Sequence, residues 1–127
     1  MSTLRNPDIR ARDIRKLVSC KSPDIIWDKG CDDTSEWVMA SIEDEKNKNI
    51  LIDWLLSKKV SSDNEAILIK SDWKNPKNIQ WGKLVSNPGQ FFGNDMFRLY
   101  DIDLNWLLEY QVLGIARFGR YGNQNCA

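Results

Sequence analysis

The order of its segments predicts an α+β fold for this chain, with N-terminal helices packed on a mainly antiparallel sheet formed by the C-terminal half. Three observations lead there. Capping residues followed by helical apolar spacing fall before residue 60. Short β-branched and aromatic runs fall after residue 65. Turn signals then divide those runs into neighbouring strands. A length of 127 residues suits a single α+β domain over 1–127, large enough for one proper core.

Asn6, Pro7 and Asp8 supply a cap, a proline at the first helical position and an acid in the first turn. Ile9, Ile14, Leu17 and Val18 continue the apolar stripe, so a helix is expected over 7–19. Residues 21–33 contain Ser22-Pro23 and Lys29-Gly30 and read as a loop anchored by Ile25, Ile26 and Trp27. Asp33 with Glu36 three positions on predicts a second helix to about Asp44, carrying Trp37, Ala40 and Ile42. Asn47 is the expected cap of a third helix, in which Ile50, Leu51, Trp54 and Leu55 repeat and Lys58 and Lys59 meet the C-terminal dipole. The competing arrangement is a hairpin of 37–42 with 50–56, since both runs are apolar and flank a polar turn.

From Ala66 the pattern changes. Residues 66–69 form a continuous β-branched run, expected as a buried strand. A short helix is expected over 79–85, closed by Asn87-Pro88-Gly89. Three strands are expected over 96–103, 105–111 and 115–121, divided at Asp101-Ile102-Asp103 and at Gly114, with a helix as the alternative over 104–113.

Composition excludes several function classes. Histidine is absent, which removes the commonest general base and every Ser-His or Cys-His nucleophile pair. Cys20, Cys31 and Cys126 are odd in number and widely spaced, and are expected as free thiols. No apolar stretch approaches bilayer length, and the N-terminus carries charge where a signal peptide needs an apolar run, so a cytoplasmic protein with no membrane partner is expected. Net charge is zero but unevenly spread. Residues 1–22 hold six basic and two acidic side chains, 23–65 hold five and eleven, and 66–127 hold seven and five. Overall neutrality argues against a dedicated nucleic-acid binder.

Pro23-Asp24 followed by Asp44-Glu45-Lys46 has the letter pattern of a PD-(D/E)xK nuclease signature, which works through a metal and needs no histidine. Both elements belong on adjacent strands, whereas here they read as a loop and a polar helix end, better explained as solvated charge. Asp32, Asp33 and Glu36 could ligate magnesium, but helix capping explains them more cheaply. Arg117-Phe118-Gly119-Arg120-Tyr121 mixes cations with aromatics as RNA-stacking segments do, and also as a half-buried edge strand does. No catalytic residue, metal or cofactor site is expected. Phe91 and Phe92 sit in a Pro/Gly-rich loop, where one of them could be an exposed anchor or the loop could fold back over the core.

The segments 97–103, 106–110 and 115–119 resemble the closing strands of small bacterial immunity proteins of the contact-dependent growth-inhibition type. That resemblance implies a protein that binds and neutralises a cognate toxin by covering its active site, with no chemistry of its own. The expected partner is a protein toxin, such as a basic nuclease domain. The expected contacts are the acidic middle and its aromatic neighbour, namely Asp24, Trp27, Asp28, Asp32, Asp33 and Glu36, with Phe91 and Phe92 as a second patch. The alternatives are a histidine-free carboxylate nuclease using Asp24, Asp44, Glu45 and Lys46, and a phage or regulatory protein-binding module.

Overall fold

Four consecutive apolar residues, Ala66 to Ile69, leave an extended chain no face for solvent, so the run needs cover on both sides. The computed structural model, which describes residues 13–14, 16, 25–28, 37–70, 76–93, 95–111 and 114–121, supplies it. The run lies in β3 (Glu65–Lys70), inside a seven-stranded sheet whose pairs are all antiparallel. The other strands are β1 (Ile25–Trp27), β2 (Val38–Met39), β4 (Lys77–Gln80), β5 (Phe97–Asp101), β6 (Trp106–Gln111) and β7 (Ile115–Tyr121). Their order is β1-β7-β6-β5-β3-β4, and β2 also pairs with β7.

Register stacks like on like. Leu68, Leu99, Leu108 and Phe118 are direct partners across four strands and form an apolar row. That face is covered by α1 (Glu45–Leu56) through Leu51 and Leu55, by α2 (Trp81–Ser86) through Trp81 and Leu84, and by Phe92. Trp81 sits edge-on to Trp106 at 5.0 Å, and Trp106 stacks on Phe118 at 5.5 Å. On the opposite face Ile67, Ile69, Tyr100, Leu107 and Tyr121 cluster with Ile14. Asp13, Ile14 and Lys16 are the described residues of the helix expected over 7–19, and they are helical.

The strands expected over 66–69, 96–103, 105–111 and 115–121 are formed as β3, β5, β6 and β7, and the fold is a mixed α+β one. Other expectations need correction. The loop over 21–33 contains β1, because Ile25 and Trp27 find cover beside β7 once paired. The helix from Asp33 to Asp44 is not formed over 38–39, where Val38 and Met39 pair with Ala116 and Ile115. Backbone pairing to an existing strand outweighs a local cap here. The hairpin alternative fails too, since its second arm is α1. That helix begins three residues earlier than expected, with Asp44 as cap: its Oδ1 accepts the Asn47 N–H at 2.8 Å. The short helix over 79–85 is in fact the end of β4 followed by α2, a one-turn helix closed by the 3₁₀ turn Pro88–Gln90.

The β5–β6 turn depends on one buried carboxylate. Asp101, 2% exposed, accepts from Asn64 Nδ2 at 2.8 Å and from the Asn105 N–H at 3.0 Å. Its own carbonyl accepts from Leu104, which takes a positive φ of 58° to close the turn. Asp101→Ala leaves two donors without their acceptor, and a loss of about 1–3 kcal/mol is expected by chemical denaturation. A change within experimental error would show that the turn holds without it.

Candidate functional site

The sheet edge at β7 carries both shortest strands, and they divide it between them. β1 pairs with Gly119, Arg120 and Tyr121, and β2 pairs with Ile115 and Ala116. The chain leaves this edge at Asp28, whose N–H donates to the Phe118 carbonyl at 2.8 Å. It returns at Trp37, and shortly after, Ala40 N–H donates to Gly114 at 2.8 Å. Residues 29–36 join the two anchor points. Gly119 allows β1 to lie this close, because a Cβ there would come within 2.9 Å of Trp27 Cε3 and 3.0 Å of Ile25 Cγ1.

A row of charges crosses the sheet one register step from the apolar row, on the opposite face. Arg98, Glu109 and Arg117 are direct partners on β5, β6 and β7. Glu109 is only 4% exposed and accepts from Arg98 Nε at 2.9 Å and from Arg117 Nε at 2.7 Å. The Arg117 guanidinium also lies 3.6 Å from the Trp27 ring centroid and 4.5 Å from that of Trp37. One cation therefore touches the aromatic residue at each end of the 29–36 connection. Each such contact is worth about 0.5–2 kcal/mol, more as water is removed.

On the helix side of the same edge, Asp28 is already engaged. Its Oδ2 is 3.1 Å from Lys58 Nζ and 3.1 Å from Arg120 Nη1. Lys58 is 7% exposed and lies over the rings of Trp54 and Phe118, at 4.7 Å and 5.5 Å. Arg120 Nη2 donates to the Lys58 carbonyl at 2.8 Å. Ile26 and Met39, one on each edge strand, are 64% exposed.

Against the contacts expected from sequence, the structure brings Trp27 and Asp28 to one edge, half-buried and tied by cations from β7. Asp24, Asp32, Asp33 and Glu36 lie outside the described residues, as do Cys20, Cys31 and Cys126. Phe92 is corrected. It is fully buried, edge-on to Phe97 and Tyr110 at 5.4 Å and 5.2 Å, so it cannot be an exposed anchor, and Phe91 packs partly buried beside the same core. The 3₁₀ turn at Pro88 folds this loop inward. Asp44, Glu45 and Lys46 occupy the cap and first turn of α1 and not a strand, and Asp44 accepts from Asn47 through both oxygens. Among the described residues no group of three or more His, Cys, Asp or Glu could hold a metal, and no helix is long and apolar enough to cross a membrane.

Sequence reasoning missed Arg98, Glu109, Lys58 and the cation contacts of Arg117. The available signal was alternation in 115–121, which puts Arg117, Gly119 and Tyr121 on one face and Phe118 and Arg120 on the other. No protein-family model, curated protein or solved structure matches this chain.

Two buried tyrosines have shifted hydroxyls. Burial pushes the Tyr100 hydroxyl above its ordinary pKa, against the opposing pull of Arg98. Burial, with Tyr100 nearby, raises that of Tyr121 further. Burial works against the charge on Arg98, but the Glu109 hydrogen bond and Tyr100 outweigh it and keep that pKa high. A raised folded-state pKa means the fold holds those protons more tightly than the unfolded chain does. The resulting stability is present below about pH 10 and is lost as pH rises through the folded values. Ultraviolet titration is expected to show the Tyr100 and Tyr121 phenolates only above the ordinary range, with a shallower alkaline loss of stability in Tyr121→Phe. Titration of both near the ordinary value in the native protein would contradict their burial.

Proposed function

We propose that this chain is an immunity protein of the cytoplasm, which binds a cognate protein toxin and neutralises it by covering the toxin's active site. The supporting observation is that both ends of the acidic 29–36 connection are held against one cation, Arg117, through Trp27 and Trp37. A segment anchored at both ends loses less conformational freedom on binding, which favours tight association. The acidity of 23–65 gives the partner's chemistry. A nuclease-type toxin grips phosphates with Lys and Arg, and carboxylates presented to those groups both steer encounter and occlude the substrate. Exposed Ile26 and Met39 on the flanking strands supply apolar contact beside that charge.

The residue roles differ from the sequence expectation at Asp28 as well as at Phe92. Asp28 is a positioning residue, since two cations already take its carboxylate. Asp24, Asp32, Asp33 and Glu36 remain the proposed recognition acids, with Trp27 at the neighbouring sheet edge. The histidine-free nuclease reading draws no support from Asp44, which is occupied as a helix cap.

Immunity proteins are encoded directly after their toxins, so the test is co-expression with the polypeptide encoded immediately upstream. Growth arrest by that polypeptide alone, relieved by this chain, is the expected result. Absence of toxicity, or arrest that persists with this chain present, contradicts the proposal. In the purified pair, Asp32→Asn with Asp33→Asn should slow association and flatten its salt dependence with an unchanged melting temperature. Asp28→Asn should lower the melting temperature itself, by leaving Lys58 without its carboxylate.

A further inference from the structure

A depression of about 370 Å³ opens beside β2, between the segment that follows that strand and the loop at Gly93. That is within the size range of sites that take a defined chemical group. Its lining includes Met39, Ser41, Ile42, Glu43, Gly93 and Tyr110. We infer that this depression receives one basic side chain of the protein partner, a lysine or arginine together with its adjoining backbone; the inference rests on the functional reading above and names a second contact for the same partner.

The lining matches such a group part by part. Met39 and Ile42 offer apolar wall for a methylene stem, and basic side chains bury their stems while the head seeks charge. Gly93 keeps that wall open, since it takes a φ of 93° and a Cβ there would press within 3.2 Å of Ile42 Cδ1. Glu43 supplies the charge. It is exposed, and among the described residues its carboxylate forms no ion pair, while no cation shares the lining. Neighbouring Asp44 is committed to capping α1, which leaves Glu43 as the carboxylate at the rim. Tyr110 is 2% exposed, and its oxygen accepts the Gly93 N–H at 2.9 Å. Among the described residues its own proton has no acceptor, which suits a backbone carbonyl of the incoming segment.

The test uses a free probe, so it does not depend on the toxin. Amide NMR of the full chain is recorded during titration with N-acetyl-arginine-N-methylamide, with N-acetyl-glutamine-N-methylamide as the neutral control. Saturable shifts confined to residues 39–43, Gly93 and Gly114 are expected for the arginine probe. Binding should weaken by about threefold in Glu43→Gln, the scale of an exposed ion pair. Ser41→Trp, which fills the depression, should abolish the shifts while the melting temperature is retained. Shifts that never saturate, equal shifts from the neutral control, or full binding by Glu43→Gln would overturn the inference. Intact probe binding without toxin neutralisation would instead overturn the functional reading alone.

Discussion

Glu109 places a carboxylate in the middle strands of the sheet, almost out of reach of water, and the cost of leaving such a charge unpaired is severe. Antiparallel register solves this by setting Arg98 and Arg117 directly opposite it on the strands to either side. Nε of each arginine is committed to the carboxylate, so the two guanidiniums are held in place by the interior and not by the surface. For Arg117 that fixed position has a further effect. The flat cation becomes a platform against which Trp27 and Trp37 rest, and two strands of three and two residues gain an attachment that their few backbone bonds would not provide. Buried charge and the two edge strands are thus one linked arrangement.

The other side of the edge repeats the logic with opposite sign. Lys58 is the buried cation there, and Asp28 is the carboxylate brought to it across the sequence, with Arg120 bridging Asp28 to the Lys58 carbonyl. β1 is consequently held on both faces, by Arg117 through Trp27 and by Lys58 and Arg120 through Asp28. This explains why a charged residue in the acidic stretch can be structural while its sequence neighbours are candidates for recognition. Charge count along the chain does not distinguish the two, because the distinction lies in which carboxylate meets a cation desolvated by the fold.

Much of the sheet was legible because its strands are apolar on both faces or alternate cleanly. Ala66 to Ile69 could only be a covered strand, and Phe97, Leu99, Trp106, Leu108, Ala116 and Phe118 keep a period of two that matches one packed face. What was not legible depends on partners distant in sequence. Val38 and Met39 read as helix because Asp33 and Glu36 look like a cap, whereas pairing with β7, some eighty residues away, decides the matter. Ile25 to Trp27 look like a loop between breakers until Gly119 opens room for them. At the candidate site, the sequence singled out Trp27 and Asp28 together but could not reveal their engagement by Arg117, Lys58 and Arg120. Adjacent Phe91 and Phe92 suggested an exposed anchor, and only the inward fold of the 3₁₀ turn shows Phe92 to be core.

If one cation holds both edge strands, a change that keeps its charge for Glu109 but removes its planar face should loosen the two strands together. Arg117→Lys is that change, since an ammonium satisfies a carboxylate but stacks poorly on indole. The decisive measurement is native-state hydrogen exchange at Asp28 and Ala40, whose amides bond to Phe118 and Gly114 across the edge, with Leu108 in the central strand as reference. Exchange faster by about fivefold or more at both Asp28 and Ala40, with Leu108 little changed, is the expected result, corresponding to about 1 kcal/mol or more of lost local stability. Unchanged exchange at both amides, or a uniform rise that includes Leu108, would show that Arg117 does not fasten the edge.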